Sequence, residues 1–169
     1  MQKEIVILAT TVALLPIAAV ALHREQRVER SVDIAAPAED VWATLTDFAA
    51  YPQWNPFIPE ISGTPAQGEK LRVRITPGDG DMTFTPTVLA AEPRRELRWL
   101  GRVLLPGLLD GTHSFTLTTI PGGVRLAQSE TFTGVLVPFV GGAIDAGDDF
   151  DAMNEALRDR VESTAGIAR

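Results

Sequence analysis

Residues Asp110–Phe139 read DGTHSFTLTTIPGGVRLAQSETFTGVLVPF. Two alternating runs flank a Pro-Gly-Gly step. In Thr112–Ile120, His113, Phe115 and Leu117 share one face, and Ser114, Thr116 and Thr118 the other. In Val124–Thr133, Val124, Leu126, Gln128, Glu130 and Phe132 share one face, and Arg125, Ser129 and Thr131 the other. A period of two marks half-buried strands, and a short turn between them marks a hairpin. The Gly122-Gly123 pair suits a type I′ turn. That turn predicts Pro121 opposite Val124, Phe115 opposite Glu130 and His113 opposite Phe132, with His113 and Glu130 as diagonal neighbours. A slip of one residue would mix the two faces, so the alternation itself excludes it.

Working outward, Val28–Ala35 alternates in the same way and predicts a strand that Pro37 ends. Ala38–Leu45 opens with acidic residues and carries Val41, Trp42 and Leu45 at helical spacing, so a short helix is predicted after Pro37. Tyr51–Pro59 (YPQWNPFIP) holds three prolines and three aromatics and reads as a packed loop with about one helical turn. Strands are predicted over Glu69–Thr76, Asp81–Ala90 and Arg95–Gly101, with Pro86 marking an edge or bulge. GDGD at 78–81 reads as a turn. In Asp145–Thr164, Phe150, Met153, Leu157 and Val161 recur at steps of three and four, the stripe of an amphipathic helix. Asp145, Asp148, Asp149 and Asp151 crowd its start, where they suit the helix dipole; they lack a full calcium-loop signature. The fold class is α+β: an antiparallel curved sheet with one apolar face, covered by one long C-terminal helix.

The full chain has 169 residues, no cysteine, two histidines and a formal net charge of −7. The missing thiols exclude disulfides, thiolate metal sites and a cysteine nucleophile. The acidic balance argues against nucleic acid as a partner. No phosphate loop, dinucleotide fingerprint or nucleophile elbow is present, and neither a cofactor nor a metal is expected. Residues 5–22 (IVILATTVALLPIAAVAL) carry no charge. As a helix they would span roughly 27 Å, close to a bilayer core. Residues 1–23 are therefore expected to be a hydrophobic helix serving as a membrane anchor. A signal segment cleaved near Ala19-Val20-Ala21 and a buried core helix are the other readings. Arg24, Arg27 and Arg30 follow it, which places residues 24–169 on the cytoplasmic side; export after cleavage is the alternative.

The order of elements, the YPQWNPFI segment and the Asp110–Phe139 stretch together resemble the START-like, or SRPBCC, superfamily, in particular its bacterial polyketide cyclase/dehydrase-like branch. The resemblance covers roughly Val28 to Val161. It implies a helix-grip fold with an apolar cavity between sheet and C-terminal helix for a lipid, polyketide or similar molecule, but not one particular reaction.

The side chains expected to line that cavity are Trp54, Phe84, Trp99, His113, Phe115, Leu126, Gln128, Glu130, Met153 and Leu157. His113, Gln128 and Glu130 are polar on an otherwise apolar face, and an isolated buried carboxylate is costly, so Glu130 needs a partner. His113 is the nearest one. The pair can anchor a ligand oxygen, act as general acid and base, or simply sit hydrated at the rim. Tyr51, Trp54 and Phe57 either close one mouth of the cavity or plug the core, and Asn55 is expected to satisfy loop backbone. Val103–Leu109 and Val135–Ile144 are apolar loops, suited to gating the cavity or resting on a bilayer. The expected function is binding or transport of a hydrophobic small molecule or lipid; the alternative is a cyclase or dehydratase using His113 and Glu130.

Overall fold

A computed structural model describes residues 24–77, 80–140 and 145–167. The chain enters on strand β1 (Arg24–Ile34) and passes through helix α1 (Ala38–Thr46) and a 3-10 turn (Phe48–Gln53). The strands β2 (Glu60–Ser62), β3 (Arg72–Ile75), β4 (Met82–Phe84), β5 (Thr87–Glu92), β6 (Glu96–Val103), β7 (Leu109–Ile120) and β8 (Gly123–Gly134) follow. A four-residue helix α2 (Val137–Val140) and the long helix α3 (Gly147–Ile167) complete it. Five strands form one antiparallel sheet in the order β1-β8-β7-β6-β5, and β2-β3-β4 form a smaller one.

The core lies between the large sheet and α3. Leu126, Phe115, Leu97 and Val124 from the sheet meet Phe150, Met153, Leu157 and Val161 from the helix, all essentially inaccessible to water. The predicted amphipathic stripe is thus the buried face of α3. Its acidic start is held locally: Asp145 accepts the Gly147 N–H, and Asp151 pairs with Arg30 of β1 at 3.0 Å. The proline-rich segment packs as a plug. Tyr51 is fully buried and donates its hydroxyl to the Leu45 carbonyl at 2.7 Å, and burial pushes its pKa up. Asn55 Oδ1 accepts the N–H groups of Phe57 and Ile58, so it does satisfy the loop backbone.

Three local expectations are corrected. The Asp81–Ala90 stretch is two strands, broken at Thr85-Pro86, because proline cannot donate to a ladder and the chain there changes sheets. Met82, which a single strand over Asp81–Ala90 would put on one face with Phe84 and Val88, is half exposed at 50%, whereas Val88 is buried. The β7–β8 turn is Pro121-Gly122, with Ile120 opposite Gly123. Pro121 fits the first turn position and Gly122, at φ +85°, the second, which is the type II pattern. This register shifts the pairing by two residues from the Gly-Gly expectation. The same faces stay together, but His113 now lies directly opposite Glu130, and Phe115 opposite Gln128. The hydrophobic segment 5–22 and the 78–81 turn's first two residues fall outside the described residues. Among the described residues no helix is long and apolar enough to cross a membrane.

Gly123 belongs in the strand for a steric reason. A Cβ there would stand 2.0 Å from the Ile34 carbonyl oxygen, whereas one on Gly122 meets nothing within 4 Å. Gly123→Ala should therefore destabilise by about 3 kcal/mol, through forced backbone displacement, and Gly122→Ala by only about 1 kcal/mol, through its left-handed φ. Urea unfolding of the two variants checks the order; equal midpoints would contradict this register.

Candidate functional site

The ladder pairings arrange the concave face of the sheet in rows. One row is Arg30, Gln128, Phe115 and Leu97; the next is Val28, Glu130, His113 and Trp99; the next is Gln26, Phe132, Gly111 and Gly101. Helix α3 begins at the first of these rows, since Gly147 abuts the Arg30 guanidinium. Phe150, one turn further on, reaches the His113 ring at 5.2 Å. The outer rows thus project past the start of the helix. Gly101, Gly111, Phe132 and Glu130 are correspondingly only half-buried, while Phe115, Leu126, Gln128, Met153 and Leu157 have no appreciable surface open to water. The interface is closed beneath the helix, and among the described residues the concave surface becomes partly accessible at this end of the sheet.

At the boundary between closed and open sits a connected polar group. His113 is 3% exposed. Its ring stacks on Trp99 (4.9 Å between centroids, 8° between planes) and is flanked by Phe115 at 4.8 Å. Its Nδ1 lies 2.5 Å from Glu130 Oε2, and its Nε2 lies 3.1 Å from the Gln128 amide nitrogen. With the amide N–H donating to Nε2, the imidazole carries a proton on Nδ1, which donates to the carboxylate. The Gln128 nitrogen also touches Met153 Sδ at 3.5 Å, which ties the sheet to α3; Gln128 Oε1 is buried with no hydrogen-bond partner among the described residues.

The two ends of this chain differ. His113 is enclosed by aromatic rings, whereas the Glu130 side chain is 18% exposed and its Oε1 overlies Gly111. Chemically, Glu130 is the group within reach of a ligand, as hydrogen-bond acceptor or base. His113 stands behind it as a positioning residue. Around the carboxylate the lining is apolar: Phe132 lies against Gly111 and Phe84 against Gly101. The paired glycines leave a floor without side chains, a place where another molecule can approach the backbone closely.

Of the residues expected at the site, Trp99, His113, Phe115, Gln128, Glu130 and Met153 are joined by direct contacts. Phe84 borders the group over Gly101, and Leu126 and Leu157 belong to the closed core beside it. Trp54 is elsewhere, packed edge-on against Tyr51 at 4.9 Å in the plug. Sequence reasoning did not select Phe150, Gly101, Gly111 or Phe132 for the site. Phe132 continues the inward alternation of Leu126, Gln128 and Glu130, and two glycines inside strands were a readable signal.

A curved antiparallel sheet gripping a C-terminal helix, with a polar group set where the grip opens, defines a helix-grip protein of the START-like class. The chain belongs to the family described as polyketide cyclase / dehydrase and lipid transport, whose model matches residues 25–162. Among solved structures it resembles a protein of Mesorhizobium loti, at 26% identity and TM-score 0.62, covering 83% of this chain and 98% of that one. A START superfamily protein of Mycobacterium smegmatis is similar at 23% identity and TM-score 0.64, covering 82% and 98%. An aromatase/cyclase from Streptomyces is similar at 19% identity and TM-score 0.60, covering 82% and 94%. None of the curated proteins matches the chain by sequence.

A Cβ on Gly111 would meet Glu130 Oε1 at 2.6 Å. The carboxylate ends a flexible side chain, so Gly111→Ala should fold, at a cost of about 1 kcal/mol, while displacing Glu130 from His113. Imidazole nitrogen NMR should then show the Nδ1 proton losing its bonded shift. An unchanged spectrum in a folded variant would contradict the tight fit of carboxylate over glycine.

Proposed function

We propose that this domain binds an apolar small molecule or lipid that carries a hydrogen-bond donor. The apolar body lies on the uncovered rows of the concave face, against Phe84, Phe132 and the glycine floor, and the donor meets Glu130. The observation that carries this reading is the partly accessible Glu130 carboxylate, 18% exposed and oriented by a buried histidine at the edge of an apolar surface. Family membership supports the substrate class. Affinity comes mainly from apolar burial, at about 25 cal/mol per Å² before association costs; the carboxylate adds selectivity.

Residues 5–22 tether the domain to a membrane in this account, with Arg24, Arg27 and Arg30 favouring the cytoplasmic side. Cleavage after that segment is the alternative, and it would export the domain.

The same geometry favours one catalytic reading. In a dehydration, Glu130 takes the proton leaving carbon and returns it to the departing hydroxyl, which leaves as water. His113 Nδ1–H steadies the carboxylate throughout. Glu130→Gln separates the readings, since it abolishes such turnover while leaving the apolar surface intact.

Binding itself is testable with naphthol and its methyl ether, methoxynaphthalene, on the full chain in nanodiscs. The wild type should prefer naphthol by about tenfold, the value of one charge-assisted hydrogen bond. Glu130→Gln should shrink that preference while leaving methoxynaphthalene affinity unchanged. Equal preference in both proteins would remove Glu130 from ligand recognition.

A further inference from the structure

The end of the domain where the sheet opens also gathers most of the exposed large apolar side chains among the described residues, Met82 apart. Val103 at the end of β6 is 47% exposed, Leu104 and Leu105 in the β6–β7 loop are 83% and 66% exposed, and Phe139 in α2 is 71% exposed. The two segments form one surface: Val135 N–H donates to the Gly107 carbonyl and Leu136 N–H to that of Leu108. Leu104 is also held at φ +65°. A left-handed residue in water is ordinarily Gly or Asn, so a bulky leucine there fits neither its backbone nor its solvent.

The chain enters the domain at this same end. Arg24, the first residue of β1, pairs with Gly134, the last of β8. Gly134 in turn packs against the Leu108 and Gly107 carbonyls. The uncharged segment 5–22 ends two residues before Arg24. Two residues span at most about 7 Å, so the chain connection brings that segment's last residue no farther than this from Arg24.

We propose that this surface, carried by Leu104, Leu105 and Phe139, docks on a phospholipid bilayer, so that the open end of the sheet faces lipid. The proposal rests on the anchoring role given above to residues 5–22. The partner is hydrocarbon and headgroup rather than another protein. The segment leading into this end has the length and composition of a bilayer span, and loops tipped with leucine and phenylalanine suit the headgroup boundary. A ligand of the proposed class would then pass between bilayer and sheet without crossing water.

The absence of cysteine makes the test clean, because any introduced thiol is unique. Full-length Leu104→Cys, Phe139→Cys and, at the opposite end, Thr119→Cys would each carry a bimane label. Each would be mixed with phosphatidylcholine vesicles containing brominated acyl chains and then floated. Flotation reads the anchor; quenching in the floated protein reads docking. Emission at 104 and 139 should fall roughly twofold while that at 119 holds. Adding Leu105→Asp to the Phe139→Cys protein should relieve quenching there without preventing flotation.

Flotation with no quenching at 104 and 139 would overturn docking and leave the anchor standing. Failure to float would overturn both. A label at 104 that is shielded before vesicles are added and stays unquenched afterwards would show residues 5–22 or a second copy covering the patch, and would equally overturn the proposal.

Discussion

A hairpin that turns at Pro121-Gly122, and cannot turn one residue later, puts His113 directly across the ladder from Glu130. The rest of the open end depends on that pairing. Had the strands slipped by two residues, Glu130 would face Phe115 and Phe132 would take the place opposite His113. The carboxylate would then face an aromatic ring, with His113 only a diagonal neighbour, and a buried carboxylate held less closely by its donor is costly. Gly123, pressed under the Ile34 carbonyl, and the neighbouring β1 ladder hold the register from the other side.

From this pairing the division of the interface follows. Toward the turn, aliphatic and aromatic residues of β7 and β8 meet α3 with no accessible surface. Toward the strand ends the helix has already begun, and the sheet runs on past it with two glycines where side chains would stand. The polar group marks the seam. Its inner members, Gln128 and His113, brace the sheet against Met153 and Phe150; its outer member, Glu130, is left reachable. One set of contacts therefore closes the core and presents the carboxylate. Such coupling explains how a mostly apolar domain carries a titratable group in its interior without abandoning compactness.

Much of this was legible in the sequence. Strict alternation in β1, β7 and β8 and the Phe150–Val161 stripe gave the sheet, its buried face and the covering helix, because one-sided burial writes a period into the chain. The packed proline-rich loop and the role of Asn55 could be read from proline and turn chemistry, while the choice between cavity mouth and core plug stayed open. The exact register could not: Pro121-Gly122 and Gly122-Gly123 are both acceptable turns locally, and the choice is made by contact with Ile34 from a distant strand. Strand β2 is only three residues long, too short for a period. The site was legible as a face rather than as a place. Alternation listed every inward residue alike, so the closed Leu126 and Leu157 could not be told from the half-open Phe132, and where α3 begins along the sheet is a tertiary fact. Trp54 was misjudged as a lining residue of the same group because aromatic composition says nothing about which end of the core a loop plugs.

An apolar molecule with a hydrogen-bond donor is expected to rest against Glu130. Mass spectrometry of small molecules released from the full chain, isolated with its native lipids, tests this most directly. The wild type should release a hydroxyl- or enol-bearing apolar compound that is strongly depleted from Glu130→Gln prepared in parallel. The same compounds in the same yield from both proteins would contradict it.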